Sequence, residues 1–268
     1  MNSYEIYVIR ALTNMHVGSG DINFNIIDNE VQRDVLTNYP TINASSLKGA
    51  IREFFNGEGE EKLIKKVFGD KDDGEGTYKF FSGMLLSIPV RSNKQQFFRA
   101  ICPRIVKEFI TFTEDFKVEY KYKESLNSLL ELEAKLKNNS PLIFKDMNNV
   151  KIEEYKAEVN KGINPRLVSN IEKLFGKDIV LFSNYDFYNI VKELPVIARN
   201  NLENGMSKNL WYEEIIPRET RFYFGLSKGD EYNEIFSSML TKNIIQIGAN
   251  ASIGYGYTKI DKIGDIDE

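Results

Sequence analysis

A few residues have types and spacings that can do chemistry. His16 is the single histidine of the 268-residue chain. Acid–base work by a pair of imidazoles is therefore excluded within one copy, and so is a His-rich metal centre. His16 opens the segment HVGSGD (16–21), where it serves either as a structural or as a catalytic imidazole. The glycines beside it let backbone amides approach an anion, or simply form a tight turn. Asp28 sits in FNIIDNEVQRD. A carboxylate there can take a proton from a ribose 2′-hydroxyl as a general base, or hold a divalent ion that stabilises phosphate charge. The competing reading is a loop aspartate that satisfies nearby amides.

Backbone chemistry is suggested near the end of the chain, where IGANASIGYGY (247–257) places Gly248, Gly254 and Gly256 around Asn250 and Ser252. Such a loop can press its amides against a nucleic-acid backbone, or it can be a plain turn between strands. Its order, G-x5-G-x-G, lacks the GxxxxGK[ST] of a phosphate-binding P-loop, which argues against nucleotide hydrolysis. Tyr212, Phe222 and Tyr223 can stack on bases, although their strand context favours core packing for most of them.

The elements that must position these residues follow from periodicity. YEIYVIRAL (4–12) reads as a first strand. ASSLKGAIREFFNG reads as a helix, with Ser45 or Ser46 as cap, Leu47, Ala50, Ile51, Phe54 and Phe55 on one face, and Gly57 as stop. Lys48 and Arg52 then lie one turn apart on the other side. GMLLSIPVR and FFRAI predict two strands in succession, with helices around 124–138 and 164–176 and strands near 142–144 and 178–183. A short helix around 185–192 precedes PVIARNNLENGMSKNLW, whose extended ends and Gly-containing middle predict a protruding hairpin at about 195–211. The Lys- and Glu-rich stretch 114–160 predicts a helical insertion with a solvated surface. ETRFYFGLS, the helix DEYNEIFSSMLTK and the strands IIQIGA and YGYTKID complete a single α+β, ferredoxin-like domain.

Composition sets limits. The net charge of −4 argues against indiscriminate coating of nucleic acid, yet the acidic residues gather in probable loops, among them Asp70, Asp72, Asp73, Glu75, Asp265, Asp267 and Glu268. The segments expected to be ordered carry Arg10, Arg33, Lys48, Arg52, Arg91, Arg99 and Arg104, which permits a basic face. One cysteine, Cys102, excludes a disulfide framework and fits a core position in a cytoplasmic protein. No stretch approaches the roughly 18 apolar residues of a membrane span, so no membrane partner is expected.

The order of segments resembles a known family. HVGSGDINFNIIDNEVQRDVLTNYPTINASSLKGAIREFF, then VFGDKDDGEGTYKFFSGMLLSIPVRS, SNYDFYNIVKELPVIARNNL, LWYEEIIP and IGANASIGYGY match, in sequence, the RAMP-superfamily backbone subunit, the fourth Cmr subunit, of type III-B CRISPR effectors. The resemblance implies an RRM-like palm with a glycine-rich loop and a β-hairpin thumb. Copies would stack along a guide crRNA together with other Cmr subunits, and complementary target RNA would be cut at regular intervals. It implies that Asp28 is the catalytic aspartate of a metal-dependent endoribonuclease, with Mg2+ as the expected ion and Glu214 as a further candidate beside the His16 imidazole. Lys48, Arg52 and the glycine loop (Gly248, Asn250, Gly254, Gly256) would contact RNA. The expected products are a 2′,3′-cyclic phosphate and a 5′-hydroxyl. A purely architectural RNA-binding subunit and the equivalent type III-A subunit are the alternatives. This chain departs from the family pattern at Ala44, Ala249 and Tyr255.

Overall fold

In the computed structural model, residues 3–20, 27–71 and 74–265 are described. Asp21, the Phe24–Ile26 start of the Asp28 motif, and the acidic Asp72, Asp73, Asp267 and Glu268 fall outside them. The principal elements are β1 (Ser3–Ala11), α1 (Ala44–Glu58), α2 (Glu61–Phe68), β2 (Met84–Arg91), β3 (Phe97–Ile101), α3 (Pro103–Asp115), α4 (Lys123–Leu130), α5 (Pro165–Phe175), β4 (Ile179–Leu181), α6 (Asn184–Lys192), β5 (Val196–Glu203), β6 (Met206–Glu214), β7 (Arg221–Lys228), α7 (Asn233–Lys242), β8 (Ile244–Gln246) and β9 (Tyr257–Lys262).

One mixed sheet organises the chain. Its central order is β4-β3-β2-β7-β1-β9-β8, and the short strands Leu142–Ile143 and Glu158–Val159 extend it beyond β4. β1 is buried from Ile6 to Ile9, because it lies between β7 and β9 and pairs antiparallel with both. Apolar side chains along β1 and β7 pack under the helices, and Tyr7 stacks on Phe224 at 5.4 Å. Phe236 of α7 stacks on Phe55 of α1 at 5.0 Å and meets Tyr78 edge-on at 5.1 Å, which ties the two helices to one core. Gly225 on β7 has to lack a side chain: a Cβ there would lie 2.5 Å from Phe81 and 2.6 Å from Phe112. Cys102 is buried, as its sequence context predicts. Phe222 and Tyr223 are core residues, whereas Tyr212 is exposed.

Several local expectations differ from what forms. Helix α1 begins at Ala44 after Asn43, which makes no side-chain cap. Its first amides are met from distant segments instead: Asn43 N–H donates to Gln32 Oε1 at 2.7 Å, and Ala44 N–H to Ser82 Oγ at 3.2 Å. Gly57 lies inside the helix, and Gly59 ends it in the left-handed conformation. α2 and α3 add to the helices expected from sequence, and Leu63, Ile64 and Val67, and then Pro103 followed by Ile105, Val106 and Phe109, carry their helical spacing. The single helix expected at 124–138 ends at Leu130. Segment 114–160 contributes Leu126, Leu129, Leu142 and Ile143 to the core, and two short strands to the main sheet.

Helix α6 leads into the β5–β6 hairpin and is capped locally, with Ser183 Oγ accepting from Asp186 N–H at 3.1 Å. Ser183→Ala is expected to cost about 1 kcal/mol. That lowers the melting midpoint by roughly 2–4 °C for a domain near this size. An unchanged midpoint in thermal denaturation would contradict this capping role.

Candidate functional site

Strand β6 is the spine of the site. β5 and β6 pair antiparallel from Val196↔Glu214 to Glu203↔Met206, with a register shift near Asn201 and Leu202, and turn at Asn204 and Gly205, both at positive φ. At the foot of this hairpin the Asp28 segment adds itself to β6. The amides of Asp28 and Asn29 donate to Tyr212 O at 3.0 and 3.1 Å, and Glu214 N–H donates to Asn29 O at 2.9 Å. Tyr212 N–H in turn donates to Asp28 Oδ2 at 2.7 Å. Asp28 is exposed. Its carboxylate is thus oriented by a backbone amide and still open to solvent, where a large substrate can reach it.

Beneath this exposed carboxylate lie two buried ones. Glu214 Oε1 pairs with the Arg33 guanidinium at 2.5 Å, and Glu214 Oε2 accepts from Val31 N–H at 3.0 Å. Arg33 also donates to Val191 O at 2.9 Å and Asn38 O at 3.0 Å, which joins the end of α6 to the Asp28 segment. Glu213 accepts from Asn250 Nδ2 at 3.1 and 3.0 Å and pairs with Arg199 of β5. His16 is buried, its Nδ1 donating to Glu214 O at 2.7 Å and its Nε2 lying 3.7 Å from Glu213 Oε1. Both ring nitrogens therefore face the hairpin foot. Burying two carboxylates in this way is tolerable because each has a cation and hydrogen-bond donors.

The glycine loop closes the other side. Ala249 N–H donates to His16 O at 2.8 Å, and Gly256 N–H to Asn14 O at 2.8 Å. A Cβ on Gly248 would lie 2.3 Å from His16 O, and one on buried Gly256 would lie 2.1 Å from Ile247 O. Those two glycines serve close packing of the loop on its neighbours. Gly254, at φ +82°, is exposed with open space around it, beside the 3-10 turn Ala251–Ile253. Of the loop residues expected to meet RNA, Gly254 and Gly248 lie at the surface, whereas the Asn250 amide points inward to Glu213.

Lys48 and Arg52 lie apart from this cluster, lining an 830 Å³ cleft with Lys71, Gly74, Glu75 and Lys79. Burial, then the neighbouring Lys79 and Arg52 charges, hold the Lys48 ammonium below its ordinary pKa. Glu75 pairs with Lys79 at 3.0 Å. Lys48, Arg52, Lys71 and Lys79 outnumber the two carboxylates of the cleft, Asp70 and Glu75, and the net positive charge suits an anion. A larger groove of 1730 Å³ runs along the hairpin base past Arg91, Tyr185, Pro195 and Arg218, but does not include Asp28. Asp28 stands on open surface, as suits a polymer more than an enclosed small molecule.

Among the described residues no group of three or more His, Cys, Asp or Glu side chains is placed to hold a metal ion. Glu213 and Glu214 are committed to Arg199 and Arg33, which leaves Asp28 as one exposed carboxylate. One carboxylate would supply a single protein ligand to a divalent ion, whose remaining ligands would have to come from water and substrate phosphates.

A family model for the RAMP superfamily matches residues 8–259. The chain belongs to the RAMP superfamily. Within that superfamily it is 28% identical to the "CRISPR system Cmr endoribonuclease Cmr4" of Pyrococcus furiosus, over 93% of this chain and 92% of the relative. It is 27% identical to the "CRISPR system CMR subunit Cmr4" of Saccharolobus solfataricus, over 97% and 96%. A chain in the structure of type III-B Cmr-beta in its apo state superimposes with a TM-score of 0.81 at 25% identity, covering 98% of both chains. Oligomeric Cmr4 from Pyrococcus furiosus shares the fold, with a TM-score of 0.71 at 22% identity and coverage of 98% and 99%. The mixed sheet with interleaved helices is thus this RAMP chain's version of the RRM-like palm. Arg33, Arg199 and Glu213 join the site without having been singled out as site residues from sequence. Arg199 and Glu213 sit diagonally across the β5–β6 ladder, and a diagonal ion pair follows only once the register is known.

Proposed function

We propose that this chain is the repeating backbone subunit of a type III-B CRISPR RNA-guided effector, and that it cuts complementary target RNA at Asp28. The observation that carries this reading is agreement along nearly the whole length with two Cmr4 relatives, one of them named as an endoribonuclease. Its partners are guide crRNA, target RNA, further copies of itself and the other Cmr subunits, in the cytoplasm. No helix among the described residues is long and apolar enough to cross a membrane. The β5–β6 hairpin is the proposed thumb and segment 114–160 the proposed insertion on the single palm.

Asp28 accepts the 2′-hydroxyl proton, the freed oxygen attacks the adjacent phosphorus, and the bond to the 5′-oxygen breaks, that oxygen taking a proton from water. The strand ends in a 2′,3′-cyclic phosphate and a 5′-hydroxyl. The Tyr212 amide fixes the direction of the carboxylate, and the hairpin foot fixes Tyr212. A divalent ion, Mg2+ in this reading, would share the Asp28 carboxylate and stabilise the charge that develops on phosphate. His16, which donates to the Glu214 carbonyl, and Glu214, whose carboxylate pairs with Arg33, support the site from below.

Guide RNA lies along the cleft of Lys48 and Arg52, held through phosphates so that any guide sequence is accepted. Lys48→Glu with Arg52→Glu is expected to weaken guide binding and to flatten its salt dependence by about two units of log–log slope, one for each lost phosphate contact. An unchanged slope in a filter-binding titration of the folded double variant removes both residues from the interface. Native mass spectrometry on guides of increasing length tests the assembly itself. The number of bound copies is expected to rise with guide length, and a fixed single copy would overturn the backbone reading.

A further inference from the structure

Glu213 is a carboxylate with 5% side-chain exposure, held by donors from two separate parts of the chain, Arg199 on β5 and Asn250 in the glycine loop, with His16 Nε2 3.7 Å away. The Arg199 guanidinium also lies over the ring of Tyr255, with its carbon 4.7 Å from the ring centre. One arginine therefore joins both strands of the hairpin to the glycine loop. Its side chain is only 14% exposed, too enclosed to serve as a free surface cation.

The chain neighbour of Glu213 is Tyr212, whose N–H orients the Asp28 carboxylate and whose carbonyl receives the Asp28 and Asn29 amides. Alternation along a strand sends the side chains of Tyr212 and Glu213 to opposite faces. Tyr212 is exposed and Glu213 is buried, as that alternation requires. Holding Glu213 from below therefore sets where the Tyr212 amide sits, and with it the direction of Asp28.

We propose that Arg199 and Asn250 are positioning residues for RNA cleavage, which clamp Glu213, fix the hairpin foot on the glycine loop and so aim the Asp28 carboxylate. The role rests on the reading of Asp28 as the cleaving group. Neither residue touches the reacting atoms. The clamp matters because a general base displaced by about 1 Å can lose about 100-fold in rate. It also gives Tyr255 a task inside the protein, as the platform that keeps Arg199 flat over the loop.

The test compares Arg199→Met with Arg199→Met/Glu213→Gln in fully assembled complexes carrying guide RNA. Methionine keeps a long apolar stem on Tyr255 but leaves Glu213 as a buried charge without its arginine. The second change removes that charge while keeping an acceptor for Asn250. Under single turnover, Arg199→Met is expected to cleave about 10–100-fold more slowly with target affinity within about 2-fold of wild type, and the double variant to recover at least about 5-fold. Hydrogen exchange gives a readout that does not depend on cleavage: the amides of residues 211–214 and 28–31 should exchange faster in Arg199→Met and slow again in the double variant. Wild-type rate and exchange in Arg199→Met would overturn the proposal, as would a rate that falls only in step with target binding. Asp28→Ala run alongside separates the two readings. Wild-type cleavage by that variant sinks the role of Asp28, whereas altered exchange in Arg199→Met still upholds the clamp.

Discussion

Asp28→Ala is expected to slow target-RNA cleavage by the assembled complex about 100–10,000-fold, the range supplied by one positioned acid or base. Guide and target affinity should stay within about 2-fold, because the RNA-backbone contacts assigned to Lys48, Arg52 and the glycine loop are made elsewhere. The variant should also fold. Asp28 is exposed, and the amides of Asp28 and Asn29 keep their Tyr212 carbonyl whatever the side chain. Asp28→Asn separates charge from hydrogen bonding: its amide oxygen can still accept from Tyr212 N–H, but it is a far weaker base. The same loss of rate is expected for both variants. Wild-type cleavage by Asp28→Asn would reduce the aspartate to a structural clasp, the role that its bond to Tyr212 could serve alone.

The second large effect is on stability. Glu214→Ala leaves the Arg33 guanidinium buried without its carboxylate and Val31 N–H without its acceptor. Side-chain exposures of 16% for Arg33 and 5% for Glu214 leave little water to compensate. Removing one partner of such a pair costs about 3–5 kcal/mol. For a chain near this size that lowers the melting midpoint by roughly 10 °C. Glu214→Gln, which retains an acceptor for Val31, is expected to lose less. A midpoint within about 2 °C of wild type for Glu214→Ala would mean that the pair adds little and that Glu214 is free for another task.

Which parts were legible in the sequence follows from the range of the forces involved. β1, α1, α6 and the hairpin announce themselves through local periodicity and turn residues, and the hairpin expected at 195–211 forms over Val196–Glu214. α1 starts at Ala44 and takes no cap from Ser45 or Ser46, because its first amides are met by Gln32 and Ser82, side chains from other segments that no local cap rule anticipates. Segment 114–160 looked solvated by its charges, yet Leu142 and Ile143 enter the sheet through pairing with β4, a long-range event. The same limit applies to the site. Asp28 stands out by its motif, but its strap to Tyr212 joins residues 184 apart, and the buried Arg199–Glu213 and Arg33–Glu214 pairs become visible only in three dimensions. From sequence the glycine loop reads as backbone that can approach nucleic acid or as a plain turn. Its contacts, however, are to His16 and Asn14 within the protein, and the exposed Gly254 side is what it presents outward.

Guided cutting by a repeated subunit makes one pattern diagnostic. With complementary RNA labelled at one end and incubated with the guide-loaded complex and magnesium, the fragments should form an evenly spaced ladder. Each upstream piece should end in a 2′,3′-cyclic phosphate, each downstream piece should begin with a 5′-hydroxyl, and the whole ladder should vanish in Asp28→Ala. A single cut, irregular spacing, 3′-hydroxyl ends, or a ladder that survives Asp28→Ala would contradict this account.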